Sequence, residues 1–289
     1  STATGALVSG FALQGCYHST AYGYAGVYMQ AGMITNCIIR NNLAGGGNYS
    51  GGIRMTGGLL TDSIISNNVC IEWQIGFGGG IWMSGGTVER CLIVKNESRS
   101  HPGGAGVYMT GGLLRNCVIA QNQATYFSVD RNISLYLGKG GGVRQLGGRI
   151  ENCTIADNYA VDRGGGLFAE GGSATNLIVA NNRCSDRIPV EAWDLFTNTS
   201  ARLGFVLTSK ATGPGFVYGN PLFTDTNRLD YSLLPASPAI DKGTNLSFSI
   251  DFNRNPRPLG SGWDLGAIEM PASADRSFSC GFDADQTEG

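Results

Sequence analysis

Charge and histidine are scarce in this sequence, and each shortage removes a class of function. Its 289 residues include two histidines, and only 15% are charged. His18 and His101 lie in different parts of the chain, without zinc-ligand spacing and without a Ser or Cys motif to complete a catalytic triad. A formal net charge of −2 with no basic patch argues against a nucleic-acid partner. There is no run of about 18 apolar residues, so a membrane-spanning helix is not expected. No secretory leader opens the sequence. Ser1 to Gly10 already reads as core strand, which leads us to expect the natural N-terminus, with any export signal, upstream. Proline is also sparse, 9 residues against 45 glycines. The glycines do not fall at every third position, which excludes collagen. Glycine at regular spacing among 42% hydrophobic residues points instead to tight corners in a repeating β structure.

What is present is a repeat. The pairs Ala31-Gly32, Gly57-Gly58, Gly85-Gly86, Gly111-Gly112, Gly147-Gly148 and Gly171-Gly172 align six copies of one unit. Six residues before each second glycine stands Gly26, Gly52, Gly80, Gly106, Gly142 or Gly166. Ten residues after it stands Asn42, Asn68, Asn96, Asn122, Asn158 or Asn182. All variation in length falls between an asparagine and the next coil. A seventh, earlier coil is suggested by Gly10-Phe11-Ala12-Leu13.

The triplets, such as Val27-Tyr28-Met29, alternate with the period of a strand, first and third side chains inward. Cys37-Ile38-Ile39 alternates likewise. Strands this short keep one register over six copies only if each pairs with its equivalent in the next coil, about 4.8 Å away. Stacking then turns repeat positions into columns. Met29, Met55, Met83, Met109, Gln145 and Ala169 form one inward column. Cys37, Ser63, Cys91, Cys117, Cys153 and Leu177 form another, in which cysteine behaves as a small core residue and not as half of a disulfide. The asparagines form a third, with amides bonding from coil to coil. We therefore expect an all-β, single-stranded parallel β-helix, a solenoid with a loop-rich C-terminal segment packed on it. The β-helix spans 1–217 and the docked segment 218–270. Residues 271–289 read as a linker or the start of a following surface module.

After Asn182 the pattern fades. Arg183 to Lys210 reads as one or two irregular coils. Beyond it come Asn220-Pro221-Leu222-Phe223, Ser237-Pro238-Ala239-Ile240-Asp241-Lys242-Gly243, Asn253 to Pro258, and Asp264-Leu265-Gly266-Ala267-Ile268-Glu269. Over about residues 5 to 270, these motifs together with the Asn-Cys coils resemble bacterial surface β-helix proteins of the pectin-lyase-like superfold with a choice-of-anchor Q ending. The resemblance implies a right-handed parallel β-helix and export to the cell surface, and no single activity. Phe278 to Gly289 resembles the entry to an immunoglobulin-like module of the polycystic-kidney-disease type, which would make the chain one part of a longer surface protein.

Chemistry was sought on the outward columns. Ile38, Ile64, Leu92, Val118, Thr154 and Ile178, with Arg40, Ser66, Val94, Ala120, Ala156 and Ala180 beside them, form an apolar strip without a carboxylate. Such a strip needs a cover, which the 190–270 segment is expected to supply. The motif residues Asp241, Asp251, Arg254, Arg257, Asp264 and Glu269 are expected to pin that segment. The other outward column is Tyr28, Arg54, Trp82, Tyr108, Arg144 and Phe168. It reads either as a self-stacking surface or as a platform for the sugar rings of an extended glycan. The corner loops add Tyr126 and Tyr136, in the long Gln123–Lys139 loop that also carries Phe127 and Asp130, with Trp73 and His101 in neighbouring loops. The best catalytic site that can be assembled uses Arg144 and Glu170, one carboxylate where two are usual. No cofactor or metal is expected. The sequence thus reads as a non-catalytic extracellular or cell-surface domain for adhesion, display or glycan binding. A polysaccharide lyase or glycoside hydrolase, and a purely structural spacer, are the alternatives.

Overall fold

The computed structural model describes residues 5–18, 26–45, 50–125, 127–130, 133–210 and 215–271. It is an all-β solenoid. Each coil contributes four short strands, where the sequence pattern had shown two. In the second coil these are Val27–Met29, Met33–Thr35, Ile38–Arg40 and Leu43–Gly45. Each pairs in parallel with its equivalent in the next coil, so four ladders run along the stack. The first and fourth ladders are separate sheets of seven strands. The second and third merge where Ser173–Ala180 runs through both without a break.

Three kinds of corner bend each coil. The first is the glycine pair. Its second member has positive φ in every repeat, from Gly32 at 77° to Gly112 at 88°, a region that costs other residues strain. Space forbids a side chain as well: a Cβ on Gly112 would lie 2.7 Å from Met83 Cε in the coil below. The other two corners are left-handed without glycine. Asn36, Asp62, Arg90, Asn116, Asn152 and Asn176 form one column, and Asn41, Asn67, Lys95, Gln121, Asp157 and Asn181 the other. Asparagine and aspartate tolerate this conformation best, which is why the Asn-Cys and Asn-Asn pairs recur.

The predicted inward columns fill the core. Met29, Met55, Met83 and Met109 are fully buried, as are Cys91, Cys117 and Cys153, with Cys37 and Ser63 at 1% exposure. No disulfide joins the described cysteines. Burial pushes the Cys91 and Cys153 thiols up, and Cys184 to about 12.

The asparagine column is a continuous ladder. Each Nδ2 donates to the next Oδ1, from Asn42 to Asn68 at 2.9 Å through to Asn158 and Asn182 at 3.0 Å. The same Oδ1 accepts the backbone N–H of the asparagine below, and the same Nδ2 also reaches a main-chain carbonyl such as Ile93 O. Such a ladder needs a final acceptor. Asp194 supplies it, taking both N–H groups of Asn182 on one oxygen and Ser209 on the other. The recurrent glycine at the head of each coil makes room for this amide. A Cβ on Gly106 would stand 3.0 Å from Asn122 Nδ2. The glycine and asparagine columns are thus one device.

Beyond Asn182 the stack continues. The short helix Glu191–Asp194 leads to Leu195–Thr197, which joins the first ladder, and Arg202–Thr208 pairs with Ser173–Ala180. The covering is therefore narrower than the 190–270 stretch read from sequence: the residues of the cover packed on the apolar strip begin at Phe223 and run to Met270. Leu229, Tyr231, Phe252, Ala267 and Ile268 bury Ile64, Leu92, Val118 and their neighbours. Leu233, Ala239 and Leu265 bury Ile178 and Ala180.

The cover is fixed by individual bonds. Asn116 donates to Ile250 O, Gln121 to Thr226 O, and Tyr231 to Asp157 at 2.9 Å. Thr154 is the one hydroxyl among the aliphatic residues beside the cysteine column, and it accepts from Ala267 N at 3.0 Å. Gly266 approaches closest, at φ +91°, where a Cβ would meet Thr154 and Ile178 at 2.7 Å. Arg254 pairs with Asp62 at 2.9 Å. Inside the cover, Arg257 bonds Glu269 and the carbonyl of Gly266. Asp251 and Asp264 accept backbone N–H groups.

Candidate functional site

The first ladder places Tyr28, Arg54, Trp82, Tyr108, Arg144 and Phe168 in one outward column, in register from coil to coil. Phe196 adds a seventh member. Each of the two guanidinium groups stands between two rings. Arg54 Cζ lies 4.1 Å from the Trp82 ring centroid and 5.3 Å from that of Tyr28. Arg144 lies between Tyr108 at 5.8 Å and Phe168 at 5.5 Å. Phe168 and Phe196 stack at 5.1 Å. Distances in this range are those of cation–π and offset-stacked contacts.

The structure divides the column into two parts. Tyr108 and Phe168 are each 4% exposed and Arg144 is 8% exposed. Phe77, from the long strand Val69–Phe77, lies over Trp82 and Tyr108 at 5.0 and 4.7 Å. Lys139 covers Phe168, and Arg163 covers Phe196. Asp162 joins these two cations at 3.8 and 3.7 Å. Burial raises the Tyr108 phenol above its ordinary range, against the pull of Arg144. Tyr28, Arg54 and Trp82 remain half-exposed. Beside them the exposed side chains Gln30, Thr56, Ser84 and Thr110 form a polar rim.

Arg144 and Glu170 do meet. Arg144 Nη2 and Nε lie 2.7 and 2.9 Å from the same Glu170 oxygen. That oxygen is committed to the guanidinium. The column itself and its rim contribute no second carboxylate, so the pair that flanks a scissile glycosidic bond is not assembled among these residues. Phe77, Lys139, Asp162 and Arg163 were missed in the sequence because they lie between one repeat unit and the next, where the length varies. Tyr126 lies outside the described residues. Tyr136 falls on Ile133–Tyr136, which pairs antiparallel with Phe127–Asp130 to make the long loop a β-hairpin, described for its backbone only. Of His18, Trp73 and His101 likewise only the backbone is described, on strands of the fourth ladder.

A second charged group lies at the corner between the second and third ladders. Arg90 bonds Asp62 at 3.0 Å and Glu89 at 2.8 Å, and Glu89 bonds Arg115 at 2.6 Å. Arg115 in turn stacks on Phe248 of the cover at 3.6 Å. Burial pushes Asp62 up, yet the hydrogen bonds from Arg90 and Thr61 outweigh it and leave the carboxyl below its usual range. These charges are consumed in joining the cover to the stack. Among the described residues there is no group of three or more side chains able to hold a metal.

Comparison with known proteins returned no matching family model, curated protein or solved structure.

Proposed function

We propose that this chain is a non-catalytic, extracellular or cell-surface β-helix domain that binds glycans through the half-exposed end of its aromatic column. The observation that carries the reading is the Arg54 guanidinium held between the rings of Tyr28 and Trp82, with exposed Gln30, Thr56 and Ser84 alongside. Coil stacking repeats a ring or guanidinium about every 4.8 Å. That is close to the rise of one sugar along an extended polymer, so a chain laid along the solenoid axis would meet successive coils. Rings offer their faces to sugar C–H groups, and the polar rim offers hydrogen bonds to hydroxyls. With about 1 kcal/mol from each ring, binding would be weak and would depend on many coils or many copies. Placement at a bacterial cell surface, in a pectin-lyase-like protein with a choice-of-anchor Q ending, rests on the C-terminal motifs and belongs to the same proposal.

The test is a glycan array with the full chain and a Tyr28→Ala, Trp82→Ala double variant, whose melting temperature is checked first. Loss of glycan retention in a folded variant supports the proposal. Equal retention would reduce the column to a structural stack. Release of reducing ends or unsaturated uronates by the parent chain would favour the lyase or hydrolase alternative.

A further inference from the structure

The aromatic column is half-exposed at one end and closed at the other, and its closure has a defined starting point. Phe77, Lys139 and Arg163 each stand five residues before a column member, namely Trp82, Arg144 and Phe168. Phe77 and Lys139 lie on one line across the coils, since Phe77 pairs with Gly103 and Gly103 with Lys139. Each of the three side chains reaches one coil onward. Phe77 meets Tyr108, Lys139 meets Phe168 and Arg163 meets Phe196. Together they form a second layer on the column. Asp162 holds Lys139 and Arg163 in that layer. Gly103 brings no side chain, which leaves the space over Tyr108 to the Phe77 ring.

Among the described residues the layer begins at Phe77. Its ring lies 5.0 Å from that of Trp82 at an interplanar angle of 24°, and 4.7 Å from that of Tyr108 at 53°. The first is the stacked arrangement in which an aromatic face receives a flat apolar partner. A sugar ring laid across Trp82 and Tyr108 would need the same space, and two rings cannot share it. Exposure changes at this point: Tyr108 is 4% exposed, while Trp82, one coil earlier, is half-exposed.

We propose that Phe77 is the stop of the glycan platform. Its ring takes the stacking place over Trp82 and Tyr108 and confines a bound glycan to the coils of Tyr28, Arg54 and Trp82. At one sugar per coil the site takes a segment of roughly three units, and a longer glycan gains no further contact. Phe77 thus sets the length of glycan that is recognised. This rests on the glycan reading of the column and deepens it.

Linear gluco-, galacto- and galacturono-oligosaccharides are printed as length series, from disaccharide to octasaccharide, and probed with the full chain. Retention by the parent rises to the trisaccharide and then levels off. In Phe77→Ala, checked for an unchanged melting temperature, Tyr108 is uncovered. Retention then goes on rising to the tetrasaccharide, by about fivefold for the one ring gained. Phe77→Val, which suits a strand, takes its place if the alanine variant melts early. Phe77→Tyr keeps a ring and keeps the plateau. A readout without glycan accompanies these. Acrylamide quenches tryptophan emission more strongly in Phe77→Ala than in the parent, and the increase disappears when Trp82→Phe is added. The stop is overturned, with the glycan reading left standing, if parent retention depends on Tyr28 and Trp82 yet climbs steadily to the octasaccharide. It is overturned likewise if the folded Phe77 variants keep the parent's plateau, or if quenching is unchanged. Retention of no glycan by the parent, or equal retention by the Tyr28→Ala, Trp82→Ala variant, removes the glycan reading and the stop with it.

Discussion

The stack and its cover are two solutions to the same problem, how to hold short strands and loops that cannot stand alone. In the stack every coil repeats the bonds of its neighbour. Backbone ladders, the asparagine amides and the inward methionines and cysteines are columns, so the loss of one member leaves equivalent members above and below. The cover has no such redundancy. Each anchor occurs once: Tyr231 on Asp157, Ala267 on Thr154, Arg254 on Asp62. Its interior turns on one ion pair, Arg257 with Glu269, both side chains fully buried. Repetition tolerates change at a single position, and unique contacts do not.

The sharpest way to break this symmetry of roles is Arg257→Ala. Among the described residues it removes the one guanidinium that acts on Glu269, Asp251 and Asp264, and it leaves buried carboxylates uncompensated. Breaking one side of a buried pair costs about 3–5 kcal/mol. The expected result is loss of amide protection in the cover while the asparagine ladder of the early coils stays protected, read by hydrogen exchange. Uniform loss along the whole chain would show that cover and stack unfold as one unit.

A smaller effect follows from pH. Burial raises Asp251 and Asp264, and raises Glu269 from 4.5 to about 6. A carboxyl whose folded value exceeds its unfolded value binds more protons in the folded state between the two. Stability therefore falls as pH rises through that window, and is regained as pH falls from neutrality towards the ordinary carboxylate range. For Glu269, discounted for partial solvation, the gain is about 1 kcal/mol. In the stack Asp62 and Glu97 have lowered values, so their contribution is lost only at more acid pH. Melting followed by a probe in the cover should rise from pH 7 to about pH 5, and a fall over that range would contradict the assignment.

The sequence made the stack legible because every column is sampled six times. Glycine and asparagine positions, the inward methionines and cysteines, and the outward rings all follow from one alignment. The finer breaks did not. Left-handed corners at Asn36 and Asn41 bound the strand Ile38–Arg40 and separate it from two strands that went unread, Met33–Thr35 and Leu43–Gly45, and residues as unlike as Arg90 and Lys95 occupy the same corners. The need for a cover was visible in the bare aliphatic strip. Its exact extent was not, because Leu195–Thr197 and Arg202–Thr208 continue the ladders without the repeat's glycine and asparagine. In the candidate site the column was legible from its spacing. Its division into buried and half-exposed ends was not, because Phe77, Lys139 and Arg163 come from the stretches of variable length between repeat units.

The smallest expected effect lies in the stack and tests redundancy directly. Cys117→Ser places a hydroxyl in the middle of a buried column, a change that ordinarily costs the desolvation of an unsatisfied polar atom. Here the partners are already present. Cys117 Sγ donates to Arg115 O at 3.1 Å and accepts from Cys91 N at 3.5 Å. Two repeats away serine makes the same pair of bonds: Ser63 Oγ donates to Thr61 O at 2.8 Å and accepts from Cys37 N at 3.1 Å. The hydroxyl would be satisfied on both sides, and only the difference between sulfur and oxygen in size would remain. The variant should stay within about 1 kcal/mol of the parent in denaturant unfolding, against the roughly 2–5 kcal/mol of a large-to-small deletion in a unique core. A loss in that higher range would mean that the column positions are not interchangeable, and that the contrast between a redundant stack and a uniquely pinned cover is wrong.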